Sequence, residues 1–316
     1  MNGSHLTLGL VGALAAAGAL SRSGSAARAR PSRDVFTIAD LSCGAGLASR
    51  GLLDGLASLG IPAVVAYACD PWDAAVEAYR ASIPEARVVD QVTTEEALSR
   101  NLVPNVDLVI AGPPCIRDST LTRSRRDVED REEEMAGIKE AARSIAFTKG
   151  RFVAIETNRG WDEWGRSHGF SVARVSDHAL GGFTLRRRTF LLRGLKVAPT
   201  SVPHLHGWGD ALPRWRNDLL SSDVHSVQKR ARYARPSTGP ALAVVGHGAA
   251  PLVLDAEGRQ IHRCTPEEAL RLQGFAEGRI QIPAERVRDR QTLVGNGWPS
   301  SYGRWLARCV SSTLEG

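Results

Sequence analysis

The chain has 316 residues, 43% hydrophobic and 23% charged, which is long enough for one large domain with or without a small one. Lys and Arg exceed Asp and Glu by 40 to 34, a net charge of +6 that is compatible with a polyanionic partner without establishing one. The five cysteines show no CxxC or Cys/His spacing, which argues against a disulfide framework and a structural zinc site and favours a reducing cytoplasm.

The first 34 residues are predicted to lie outside the fold. Residues 6–20 are apolar but shorter than a membrane span, and the preceding MNGSH lacks the Lys or Arg of a signal peptide. We interpret residues 1–34 as a leader, either disordered or loosely helical, or as the product of a start codon placed too far upstream, rather than as an export signal. No later segment is predicted to cross a membrane.

From Val35 onward, predicted strands and helices alternate. VFTIADL, AVVAYACD, a short strand near ARVVD, NVDLVIAG and RFVAIETN are predicted strands, and helices are predicted up to Leu59, through Tyr79 and around 133–147. This alternation predicts an α/β fold with a mostly parallel, doubly wound sheet. Ligands bind beyond the carboxyl ends of such strands, where five chemically capable residues are predicted: Asp40, Asp70, Asp90, Cys115 and Glu156.

The composition changes after about Lys196. The following residues are rich in Pro, Gly, His, Trp and Arg and have little periodicity, so 194–289 is predicted to be a small, irregular second domain. Residues 35–193 form the predicted large domain. The segment 290–316 ends in an amphipathic helix that is expected to return to it.

A glycine-bearing turn follows the first predicted strand. Asp40, Cys43, Gly44 and Gly46 belong to this turn, where glycines let the backbone approach a ligand and a helix begins. Asp70 ends the second strand, where an acidic side chain can bind a ribose diol. Together these features predict an adenosine-containing cofactor. The alternative for Asp40 is that it simply caps the helix.

The segment GPPC presents a thiol beyond the fourth strand. Two prolines, the first being Pro113, hold the chain extended before Cys115, which is a candidate nucleophile or, alternatively, an inert packing residue. Glu156 ends the next strand and is expected to meet the same pocket. Arg186 and Arg188 of FTLRRRTFLL alternate along a strand and share a face. Their alternative interpretation is a solvated edge strand.

These motifs, in this order, resemble the DNA cytosine-5 methyltransferase family. DLSCGAG resembles the DLFCGxGG cofactor turn, GPPC the nucleophile motif, IETN the ENV motif and TLRRR the QxRxR motif. CTPEEALRLQGF resembles the helix that supports the small domain, and VGNGWPSS is similar to the GNxVP motif, which closes over the cofactor. The resemblance spans 35–310 and implies a Rossmann-like S-adenosylmethionine-dependent methyltransferase fold, with 194–289 as the target-recognition domain.

The resemblance also implies a reaction. The Cys115 thiolate adds to carbon 6 of a cytosine flipped out of double-stranded DNA, and carbon 5 then takes the methyl group. Glu156 binds ring nitrogen 3 and the exocyclic amine, Arg188 holds the carbonyl oxygen, and Arg186 helps to position them. S-adenosylmethionine is then bound, with Asp70 on the ribose and Asp90 on the adenine amino group, by the following residues: Asp40, Cys43, Gly44, Gly46, Asp70, Asp90, Pro113 and Asn296.

Several positions depart from the family motifs. Ser42 and Leu47 replace a phenylalanine and a glycine of the cofactor turn, Thr184 replaces the glutamine of QxRxR, and residues 116–118 replace Gln-x-Phe after the cysteine. Three alternatives therefore stay open: an RNA cytosine substrate, a catalytically silent DNA-binding relative, and a modified transferred group. The expected protein is a monomer in the cytoplasm, associated with the nucleoid, with no metal and no membrane partner.

Overall fold

A computed structural model describes residues 35–113, 145, 150–157, 161–202, 206–222, 234–246 and 250–316. They fall within one compact unit, Arg33–Gly316. The predicted leader, most of the helix predicted around 133–147 and the candidate nucleophile Cys115 lie outside the described residues.

The large sheet has seven strands in the order β3-β2-β1-β4-β5-β7-β6. All neighbouring pairs are parallel except the two that involve β7, which runs antiparallel to β5 and β6. The predicted α/β fold with a mostly parallel sheet is thereby confirmed. The strands are β1 (Phe36–Leu41), β2 (Ala63–Cys69), β3 (Val89–Asp90), β4 (Val106–Ala111), β5 (Gly150–Thr157), β6 (Ser171–Ser176) and β7 (Arg187–Arg193).

The described helices begin where local sequence favours it. Thr265 and Glu268 form a capping box at the start of one helix, and Thr93 accepts a bond from the Glu96 N–H at the start of another. The helices are α1 (Leu47–Ser58), α2 (Asp73–Ser82), α3 (Thr94–Ser99), α4 (Asp162–Ser167), α5 (Trp208–Ala211), α6 (Pro266–Leu272), α7 (Val287–Asn296) and α8 (Ser300–Leu314), with 3-10 turns at His178–Leu180 and Pro213–Trp215.

One face of the large sheet is covered by α1 and α8. A Cβ on Gly303 of α8 would lie 2.3 Å from the carbonyl carbon of Gly51 in α1, so the two backbones touch and only glycine fits at this crossing. The aromatic residues Tyr302 and Trp305 of α8 are fully buried against the sheet. The carboxyl-terminal helix is therefore packed into the core of the large sheet.

A second sheet occupies the region for which the sequence predicted an irregular small domain. Its order is β11-β10-β8-β9, all antiparallel, with β8 (Leu219–Ser222), β9 (Arg235–Pro236), β10 (Pro251–Leu254) and β11 (Gln260–Arg263). All four residues of β10 are buried. None of the described helices combines the length and apolar content that a membrane crossing requires.

Candidate functional site

The face of the sheet under α1 and α8 turns from apolar to polar at its carboxyl edge. Side chains alternate between faces with a period of two, so the residue two positions beyond each apolar core residue lies on the same face. Beyond Ile38, Ile110, Ala154 and, on antiparallel β7, Phe190, these residues are Asp40, Gly112, Glu156 and Arg188.

The glycine turn after β1 is tied to the end of β2. The Cys43 N–H donates to the Cys69 carbonyl at 3.0 Å, and the Gly44 N–H donates to Asp70 Oδ2, also at 3.0 Å. Gly44 and Gly46 have φ of 53° and 82°, the left-handed region that glycine adopts without strain. A Cβ on Gly44 would meet no atom within 4 Å. The turn therefore offers bare backbone beside open space.

Asp70 spans this turn with both carboxylate oxygens. Oδ1 accepts the Trp72 N–H at 3.0 Å, while Oδ2 accepts that of Gly44. Burial raises the pKa of Asp70, and the two backbone bonds oppose that rise. Its own N–H donates to the carbonyl of Asp90 at 3.3 Å. Gly44, Asp70 and Asp90 are thus brought together at the ends of adjacent strands.

Asp40 lies beneath the turn rather than on its open side. It is 2% exposed and accepts bonds from Ser49 Oγ at 2.6 Å and from Tyr79 Oη at 3.4 Å. Burial raises its pKa to about 7 against the opposing effect of these bonds. The alternative that Asp40 caps the helix is wrong, because the N-cap residue of α1 is Gly46 and no side chain makes a capping hydrogen bond there. Asp40 supports the turn from inside.

The two described cysteines near the turn have protonated, unreactive thiols. Cys43 and Cys69 are both buried, and burial raises the pKa of the Cys43 thiol well above its ordinary value and that of Cys69 to about 12. Thiols in such surroundings are not thiolates at neutral pH. Cys43 therefore serves the turn through its backbone N–H.

Glu156 and Arg188 form an ion pair on neighbouring strands. Arg188 Nε lies 2.5 Å from Glu156 Oε1, with side chains 26% and 8% exposed. A Cβ on Gly112, the first residue of GPPC, would lie 3.8 Å from Glu156 Oε2. Gly112 therefore lies next to the carboxylate. Cys115 itself is not among the described residues.

Arg186 directly precedes β7 and has other partners than Arg188. It is buried and donates to the carbonyls of Gly295 at 2.6 Å, Val244 at 3.3 Å and Asn296 at 3.4 Å. Burial, with the neighbouring Arg188, lowers its pKa to about 10. A cation at the carboxyl end of α7 is favourably placed for the helix dipole. Arg186 fastens α7 to β7.

The alternative of a solvated edge strand for these arginines is wrong, since β7 lies between β5 and β6. The side chain of Asn296, a predicted cofactor residue, is exposed at the end of α7. It is so close to Gly246 that a Cβ there would overlap its amide oxygen. The structure thus places the Asn296 side chain beside Gly246, in the segment between β9 and β10.

Sequence reasoning missed several supporting residues. Ser49 and Tyr79 bond each other at 2.7 Å as well as Asp40, and Asp177 is a buried acceptor for Thr184 and Ser301. No local motif marks the contacts of Tyr79 with Asp40 or of Ser301 with Asp177, because the partners lie 39 and 124 residues apart in the chain. Among the described residues, no three His, Cys, Asp or Glu side chains are grouped as a metal site requires.

Neither a protein-family profile nor a curated protein matches the sequence. Solved structures do match over nearly the whole chain. A protein described as a DNA modification methyltransferase from an E. coli prophage has a TM-score of 0.56 and 15% identity, covering 89% of this chain and 100% of its own. The S. pombe Dnmt2 methyltransferase has a TM-score of 0.58 and 16% identity, covering 89% and 99%.

The Entamoeba histolytica methyltransferase EhMeth has a TM-score of 0.60 and 11% identity, covering 90% of this chain and 100% of its own. Identities this low establish a common fold and nothing finer. The chain therefore has the mixed α/β fold of these methyltransferases, including its large, mostly parallel sheet.

Proposed function

We propose that the protein is a DNA cytosine-5 methyltransferase, which transfers a methyl group from S-adenosylmethionine to carbon 5 of a flipped-out cytosine. The observation that carries this proposal is the Glu156–Arg188 ion pair beside Gly112, where the GPPC segment begins. A carboxylate and a guanidinium for base recognition, with the thiol that follows Gly112 by three residues in the sequence for covalent activation, are the groups that this chemistry on a pyrimidine needs.

The chain's residues fit the proposed cofactor, which supplies the methyl group as a sulfonium. The open space at Gly44 lets a ligand approach the turn, and each Asp70 oxygen still has a lone pair after its one backbone bond. In this proposal Asp70 holds the ribose, Asp90 the adenine amino group, and Pro113 and Asn296 complete the site. The buried Asp40 keeps the turn in shape.

The proposed chemistry uses the residues in turn. The Cys115 thiolate forms a bond to carbon 6 of the base, and the displaced electron pair makes carbon 5 nucleophilic enough to take the methyl group. A proton acceptor then removes the proton from carbon 5 of the cytosine. The bond between carbon 6 and the Cys115 sulfur breaks, which restores the double bond of the ring and the thiolate. Glu156 and Arg188 hold the polar edge of the base and stabilise the charge that develops on the ring.

Double-stranded DNA is the proposed partner, and residues 194–289 are the proposed target-recognition domain. The base must leave the stack for a thiol to reach carbon 6, which requires a pocket beyond the sheet edge. The chain has 40 basic and 34 acidic residues, and its net charge of +6 is compatible with contacts to DNA phosphates.

Trapping with 5-fluorocytosine tests this proposal. Fluorine cannot leave as a cation, so elimination stalls and the bond from Cys115 to carbon 6 persists. Random-sequence duplex DNA carrying 5-fluorocytosine should give a shifted band on a denaturing gel only when S-adenosylmethionine is present. Cys115→Ser should lack the band. Cys264→Ser, which changes a buried cysteine with a raised pKa, should keep it.

Two results would contradict the proposal. Wild-type protein that methylates ordinary DNA without ever forming the band would exclude the covalent mechanism. Protein that methylates no DNA, random or genomic, would exclude the function, and methylation of RNA alone would assign the chemistry to that substrate.

A further inference from the structure

Trp298 lies beside Glu156 at the sheet edge. A Cβ on Gly112 would lie 3.4 Å from the Trp298 indole Nε1 and 3.8 Å from Glu156 Oε2. The indole is 3% exposed and meets Phe190 edge to face, with ring centroids 5.0 Å apart. Phe190 is the register partner of Glu156 on β7. The indole is therefore anchored to the strand pair that carries the carboxylate.

Among the described residues, the indole N–H of Trp298 makes no hydrogen bond, as is also true of the buried Trp161, whereas two other buried tryptophans do make one. Trp208 donates to the Arg235 carbonyl at 3.0 Å, and Trp305 to the Ala198 carbonyl at 3.2 Å. In the part of the chain that the structure describes, no hydrogen bond uses the Trp298 nitrogen. Buried tryptophan N–H groups usually have a partner, so this donor is available to a bound molecule.

We propose, on the basis of the proposed function, that Trp298 selects cytosine over uracil in the target pocket. Glu156 Oε1 lies next to Arg188 Nε but makes no hydrogen bond within the described residues, and Oε2 lies on the Gly112 side, where the Trp298 indole also lies, so the carboxylate can still accept a hydrogen bond from a base. An acceptor and an indole donor against one glycine match the edge of cytosine: the exocyclic amine donates to Glu156, and ring nitrogen 3 accepts from Trp298, which takes this contact in place of Glu156. VGNGWPSS has this tryptophan where the GNxVP motif has valine.

Uracil presents the opposite pattern at the same two atoms. Its carbonyl oxygen would face the Glu156 carboxylate, and its ring N–H would face the indole N–H of Trp298. Sites built around hydrogen bonds reject a ligand that leaves their polar groups unpaired. Glu156 and Trp298 together therefore discriminate more strongly than the carboxylate alone.

The test compares Trp298→Phe with Trp305→Phe. Both variants lose one indole N–H within the same core, and both tryptophans pack edge to face on Phe190. The target is first mapped by bisulfite sequencing of DNA from an expressing host, and transfer of labelled methyl is then measured on duplexes with cytosine or uracil at that position. Trp298→Phe should lower kcat/KM for cytosine, and the cytosine-to-uracil ratio, about tenfold. Trp305→Phe should leave the ratio unchanged.

A folded Trp298→Phe that keeps the wild-type ratio, or that loses both activities equally, overturns the inference. Should this variant not fold, the wild-type indole N–H resonance of Trp298 is the second readout. It should shift with the cytosine duplex and not with the uracil duplex, and equal shifts overturn the inference. Wild-type protein that methylates neither DNA nor RNA refutes the proposed function, and this inference with it.

Discussion

Asp70→Ala should weaken binding of S-adenosylmethionine without unfolding the protein. The substitution removes the acceptor for the Gly44 and Trp72 N–H groups, each bonded at 3.0 Å, and with it the proposed ribose ligand. Loss of one hydrogen bond to a charged group costs about 1–3 kcal/mol, or about 5- to 150-fold in Kd. Because Gly44 faces open space, water can replace its lost partner, and we expect the free energy of unfolding to fall by only about 1–2 kcal/mol.

Asp107→Ala is the matched control. Asp107 Oδ2 accepts the backbone N–H and the hydroxyl of Thr37, both at 2.8 Å, near the start of β1 and β4 and so at the opposite edge of the sheet. The Asp107→Ala variant should lose a similar amount of unfolding free energy and bind S-adenosylmethionine with wild-type affinity. Calorimetric titration and urea unfolding of both variants measure the two quantities. Wild-type affinity in a folded Asp70→Ala would refute the reasoning, since the ribose would then be held elsewhere.

Three further predictions concern the charged residues Asp40, Arg186 and Arg188. Burial raises the pKa of Asp40 from 3.8 to about 7, so the unfolded chain releases this proton first and stability is lost as pH rises between those values. Between pH 5 and 7 the unfolding free energy of wild type should fall about 2–3 kcal/mol more than that of Asp40→Asn; parallel pH profiles in urea titrations would count against this. Arg186→Ala should cost about 2–4 kcal/mol of stability, because it leaves carbonyls at the end of α7 unpaired. Arg188→Ala should instead lower kcat at nearly unchanged stability. Thermal melting measures stability and methyl-transfer assays measure kcat; if Arg186→Ala lowers only kcat and Arg188→Ala lowers only stability, the roles given to the two arginines are wrong.

Local patterns in the sequence were enough to predict the fold class and the strands at whose ends the candidate site residues stand. Apolar runs of strand length alternating with helical periodicity, separated by glycine and proline, are local signals, and they predicted the mostly parallel sheet that the structure has. The period of two also predicts that Arg186 and Arg188 share a face; this stays a prediction, because β7 begins only at Arg187. These features depend on neighbouring residues, which is why a single sequence contains them.

The partner of each polar residue, in contrast, became known only from the tertiary structure. Asp40 and Asp70 both stand at strand ends, yet Asp40 points under the turn to Ser49 while Asp70 holds the turn from β2. Arg188 meets Glu156, whereas Arg186 reaches the end of α7, 109 residues further along the chain. The placing of Trp298 beside Gly112 and the second sheet are equally non-local. Such contacts arise from the packing of distant segments, for which local periodicity contains no signal.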